Sequence, residues 1–180
     1  MGTQYGAVVH GRRVDKDAAA SIEAGVIDGQ RVVALVAVQG DLATPSLEGV
    51  KGAFARLARV GEGAAGALTK AAPPPPYASG VAVVLLAGDV AHVAATGGAR
   101  CYRERDGVLA ELASGVHAVA AGDGLVAASH AGLRGGAAFF AAEIAAVGDA
   151  EFRKDRLDAA LTAALAPYAE LVGVAAARVD

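Results

Sequence analysis

The stretch Arg31–Gln39, RVVALVAVQ, is apolar without alternation from Val32 to Val38. A strand with one solvated face alternates apolar and polar side chains, whereas an unbroken apolar strand is buried on both faces. A chain built around such a strand must fold in layers, with material packed on each side of a sheet. Asp28-Gly29, just before it, is a strong two-residue hairpin signal, making Ala18–Ile27 the neighbouring strand.

The longest apolar runs, VVALVAV and VAVVLLA, are far too short to span a bilayer, which takes about 20 residues. The 180 residues suffice for one domain with a sizeable core, and 54% hydrophobic against 19% charged residues marks a packed chain rather than a disordered one. That apolar content is mostly Ala and Val; with no Trp, 4 Phe and 4 Tyr, the core should pack through small side chains. A net charge of −3 and the lack of basic runs interleaved with aromatics speak against a nucleic-acid partner. The start, MGTQYGAVVHGRR, lacks the order of a signal peptide, and a single Cys allows no internal disulfide, so the cytoplasm is the expected compartment and no membrane partner is expected.

Gly6–His10 reads as a short strand ahead of the charged corner GRRVDKD. Thr44-Pro45-Ser46 offers a hydroxyl cap for a helix over LEGVKGAFARLARV, with Leu47, Val50, Phe54, Leu57 and Val60 on its buried side. Gly61–Lys70 extends that helix loosely, and a Pro-rich loop at about 71–79 forms a stiff, extended connector. A meander follows from Gly80 with turns at Gly88-Asp89, Gly97-Gly98 and Asp106-Gly107, then a strand in GDGLVAASH. GGAAFFAAEIAAVG and DRLDAALTAALAPY read as helices, and ELVGVAAARV as the closing strand. Residues 1–180 thus read as one α+β domain, an αββα sandwich of mainly antiparallel sheets covered by helices.

Several stretches, in order along nearly the whole chain, resemble the metal-dependent serine/threonine phosphatases of the phosphatase 2C class. GRRVDKDAAASI resembles the opening Arg-plus-acidic motif, and VALVAVQGDLATPSLEGV the strand ending in Asp-Gly before a helix. SGVAVVLLAGDVAHVAATGGARCYRERDG resembles the central hairpin region, and AAGDGLVAASHAGL the strand leading into Ser-Asp-Gly. AELVGVAAARV resembles the last strand, which opens with Asp-Asn in the family. The resemblance implies a phosphatase 2C-like fold, here shortened, with the flap segment missing between Leu112 and Leu125.

In that family two Mg²⁺ or Mn²⁺ ions, held mostly by carboxylates, activate a water and clamp the phosphate. Set against that pattern, Gln39 replaces the central Asp while Gly40 remains, and His130 replaces the Asp of Ser-Asp-Gly after a retained Ser129. Gly98 stands at an acidic position, and the last-strand Asp falls near Ala169, beside Glu170. Arg13, with Asp15 or Asp17, keeps the recognisable corner. A neutral Gln between two dications offsets little of their repulsion. The pattern therefore implies a pseudophosphatase, with no catalytic residues, no bound metal and no cofactor expected.

Arg13 is the candidate phosphate-binding residue, since a guanidinium matches phosphate geometry without a metal; the plainer reading pairs it with Asp15 or Asp17 in solvent. Asp15 and Asp17 share one face of an extended strand, as ligands or as a charged hairpin face. His130 with Asp17 could hold a softer ion such as Zn²⁺, although a lone His at a strand end is more often simply hydrogen-bonded. His92, mid-strand, and His117, in a loop, have no ligand-spaced partners, and Cys101 reads as a buried, inert thiol. PPPPY carries a Pro-Pro-x-Tyr spacing, with a loop spacer as the simpler account.

Three functions remain open at this stage. The leading one is an inactive domain acting through a protein partner, a phosphoprotein or a Ser/Thr kinase, in bacterial phosphosignalling. The second is a phosphatase with a reduced site of Asp15, Asp17, His130 and Glu170, using Mg²⁺ or Mn²⁺. The third is a structural or oligomerising module.

Overall fold

The unbroken apolar run forms an interior strand of one sheet, with a neighbour on each side and layers on both faces. The computed structural model describes residues 4–10, 17–130, 162, 165 and 172–179. The elements in chain order are β1 (Gln4–His10), β2 (Asp17–Ile27), β3 (Gln30–Gly40), α1 (Ala43–Ala55), α2 (Ala64–Thr69), β4 (Gly80–Ala87) and β5 (Val90–Gly97). They continue with β6 (Arg100–Arg105), β7 (Val108–Leu112), β8 (Gly115–Ala118), β9 (Gly124–Ala128) and β10 (Val172–Arg178). Among the described residues two five-stranded sheets result, ordered β2-β3-β4-β5-β8 and β1-β10-β9-β6-β7. Every pairing in them is antiparallel.

Alternate residues of β3 serve two different cores, which is why its sequence does not alternate. Val33, Leu35 and Ala37 face the second sheet, meeting Cys101, Leu125, Ala127, Ala175 and Ala177. Val32, Val36 and Val38 point the other way, beneath Leu47, Val50 and Phe54 of α1 and Leu68 of α2. Between the sheets the side chains are small, and backbones approach closely. At Gly173 a Cβ would lie 2.8 Å from the Ala19 carbonyl oxygen, so β10 and β2 can touch only through a glycine.

The hairpins behave as their turn residues require. Asp28-Gly29 and Asp106-Gly107 adopt positive φ at both positions, 50° and 74° in the first and 52° and 78° in the second. That geometry matches the right-handed twist of the flanking strands.

Four expectations need correction. α1 begins at Ala43, so Thr44 and Ser46 lie inside it and neither caps it; its N-cap is Leu42, without a side-chain hydrogen bond. The Ser46 hydroxyl instead donates to the Leu42 carbonyl at 2.5 Å. Gly61–Lys70 is no extension of α1, because Gly63 at φ 83° starts a separate short helix. The proline run is not an extended connector: Tyr77 N donates to Pro74 O at 3.2 Å, closing a turn. His117 lies in a strand, β8, with Nε2 2.7 Å from the Ala113 carbonyl oxygen.

The helices expected in 135–148 and 155–168 fall outside the described residues, except Thr162 and Leu165, which are helical, with Leu165 buried. No helix among the described residues is long and apolar enough to cross a membrane.

Candidate functional site

One end of the sandwich gathers the described residues that the resemblance placed at the metal site, Asp17, Gln39, Gly40, Gly98 and His130. Strand register sets this: Gln39 pairs with Gly80, Gly80 with Gly97, and Asp17 with Gly40. On the facing sheet Arg100 pairs with Ala128, leaving Ser129 and His130 just beyond β9 at the same end. Arg13, Asp15 and Glu170 lie outside the described residues.

Gln39 is the centre of the cluster. Its side-chain Oε1 accepts a hydrogen bond from the Ser129 hydroxyl at 2.9 Å. Its backbone carbonyl accepts both Ser79 N, at 2.7 Å, and the Ser79 hydroxyl, at 3.1 Å. Ser129 is 1% exposed, and its Oγ also accepts the Gly173 N–H at 2.8 Å. A hydroxyl that accepts from one N–H directs its single proton elsewhere, here to Gln39. Ser129 therefore has no free proton for a base to take and is not an activated nucleophile.

Asp17 opens β2 and accepts the Ala18 N–H at 3.0 Å and the Thr44 hydroxyl at 3.4 Å. The hydroxyl expected to cap α1 thus reaches toward the acidic corner instead. Gly98 lies near His130, where an added Cβ would stand 4.0 Å from the ring Cδ2. Gly40 has the Tyr77 carbonyl where a side chain would be, while Asp41 N and Leu42 N donate to Pro76 O and Tyr77 O, each at 3.0 Å. The proline loop is thereby pinned to the corner between β3 and α1, leaving Tyr77 half exposed.

Two hard dications held close together need several carboxylate oxygens. Among the described residues no group of three or more His, Cys, Asp or Glu side chains could hold a metal ion. At position 39, which the resemblance gives to a ligating Asp, stands a carboxamide whose oxygen accepts from Ser129. The described donor set does not fit a two-metal centre.

Sequence reasoning missed Ser79, and it marked Ser129 as retained without bringing out its bond to Gln39. Both are strand-end serines, and their signal is weak: a hydroxyl beside a glycine or alanine at the end of an apolar strand. Cys101 is buried, as expected, and lies between the sheets, where burial pushes its thiol up to about 12.

The architecture matches solved phosphatases over nearly the whole chain. It is similar to the serine/threonine phosphatase of S. agalactiae, with a TM-score of 0.66 at 15% identity, covering 99% of this chain and 100% of that one. It is similar to the catalytic domain of the serine/threonine phosphatase PstP in complex with two manganese ions, with a TM-score of 0.64 at 17% identity, covering 99% of each chain. A protein described with the bacterial stressosome matches with a TM-score of 0.66 at 12% identity, covering 99% of this chain and 100% of that one. No family model matches the sequence, and no curated protein matches it. The chain has the fold of the phosphatase 2C class of serine/threonine phosphatases.

Proposed function

We propose that this chain is a catalytically inactive phosphatase 2C-like domain that works by binding a protein, with a phosphoprotein of a Ser/Thr signalling system as the partner. The observation that carries this reading is the use of Gln39. The resemblance assigns its position to a metal-ligating Asp, and its Oε1 instead accepts a hydrogen bond from buried Ser129. The phosphate-binding role falls to Arg13, which needs no metal to pair with a phosphate. One of the similar structures belongs to a stressosome described as controlling secondary messenger signalling, a regulatory setting that supports a binding role.

A matched pair of phosphothreonine and unmodified peptides, titrated by calorimetry with and without chelator, tests the reading. Binding of the phosphorylated peptide, unaffected by chelator and weakened at least tenfold by Arg13→Ala, is the expected result. Equal affinity for both peptides, or none for either, contradicts phosphoprotein recognition and favours a structural or oligomerising module.

A further inference from the structure

We infer that Gln39, Ser129 and Gly173 form a hydrogen-bonded tie that holds the two sheets together at the site end, in the position where the fold's metal ligands would otherwise stand. Gln39 belongs to β3 in one sheet, Gly173 to β10 in the other, and Ser129 follows β9 beside Gly173. The relay runs in one direction. Gly173 N–H donates to Ser129 Oγ at 2.8 Å, and Ser129 O–H donates to Gln39 Oε1 at 2.9 Å. Ser129 N closes the near side by donating to the Gly173 carbonyl at 2.9 Å. Ser129 is buried and Gln39 partly so, and removing either leaves a buried polar atom of the relay without its partner.

The surroundings show what the tie positions. Gly80 accommodates the Ser129 carbonyl, which would sit 2.8 Å from any added Cβ, and Ala99 N would sit at 3.0 Å. Gly98 N donates to Ser79 O at 3.4 Å, and Ser79 in turn is held by Gln39 O. The tie therefore sets the spacing of the β3, β5 and β9 ends and with it the placement of His130 near Gly98. An Asp at position 39 would be one methylene short of this reach, so the residue that suits a metal is the wrong length for the tie. Gln39 and Ser129 are positioning residues under this inference. It is independent of which partner the domain binds.

A double-mutant cycle in thermal unfolding tests it, using Gln39→Leu, Ser129→Ala and the two combined. Each single change is expected to lower Tm by about 5 °C, and the double variant to fall no further than the worse single one. Losses that simply add would overturn the tie. Native-state hydrogen exchange on the unaltered protein gives a second reading that needs no variant to fold. The Gly173 amide should exchange only through global unfolding, and fast local exchange there would overturn the inference.

Discussion

Asp123 and Arg105 form a bidentate ion pair at the end of the sandwich opposite the candidate site, with Arg105 Nε and Nη2 each 2.6 Å from a carboxylate oxygen. Asp123 is buried, and its Oδ2 also accepts the Ala120 N–H at 2.9 Å. Burial pushes the Asp123 carboxyl up, but the hydrogen bonds from Arg105 and Ala120 outweigh it and hold the group below its ordinary 3.8. A carboxyl depressed by folding stabilises above its unfolded value and loses that contribution as pH falls below it. Asp123→Asn should thus cost about 1–2 kcal/mol at pH 7, with a smaller loss at pH 3. Urea unfolding at the two pH values checks this; an equal loss at both would contradict the ion pair's role.

His92 gives a second, smaller pH response, nearer neutrality. It lies in β5 opposite Leu85, and its Nδ1 is buried with no hydrogen-bond partner among the described residues. Burial lowers its proton affinity from the ordinary 6.5. Below that value the unfolded chain therefore takes up a proton that the folded chain resists, and stability falls as the solution is acidified. His92→Leu should reduce the drop in Tm between pH 7 and pH 5.5. A drop of unchanged size in the variant assigns the pH response to other groups.

Gly40 is held to glycine by the Tyr77 carbonyl, which occupies the place of a Cβ. Gly40→Ala must move the proline loop away from the β3–α1 corner and break the bonds from Asp41 N and Leu42 N. A cost of about 3 kcal/mol is expected, in the range for backbone clashes that cannot relax locally. Equilibrium denaturation measures it, and a cost below 0.5 kcal/mol would show that the loop is not pinned there.

Cys101 is fully buried between the sheets, with its thiol pushed up to about 12. It should resist a thiol reagent at pH 8 in the native state and react within seconds in urea. Fast native-state labelling would mean that the sheets separate far more often than their packing allows.

Much of the architecture could be read from the chain because local chemistry fixed it. The turn pairs Asp28-Gly29 and Asp106-Gly107 need positive φ, and they mark two hairpins to the residue. The unbroken run of β3 required layers on both faces, and both are present. Other features were set by partners distant in sequence. Nothing local places β10 between β1 and β9, or adds the short edge strand β8 to the other sheet. Thr44 resembled a helix cap because its neighbours suit one, yet its hydroxyl reaches Asp17, 27 residues away. At the site the substitution of Gln39 was visible, but its use was not. The bond to Ser129 spans 90 residues and depends on sheet packing that no local pattern encodes.

The most direct measurement is phosphatase activity on an aryl phosphate and a phosphothreonine peptide, with excess Mn²⁺, Mg²⁺ or Zn²⁺ and with chelator and Arg13→Ala controls. The account predicts no turnover above the chelated control with any metal. Turnover that requires both a metal and Arg13 would contradict it and would make Asp15, Asp17, His130 and Glu170 the residues to change next.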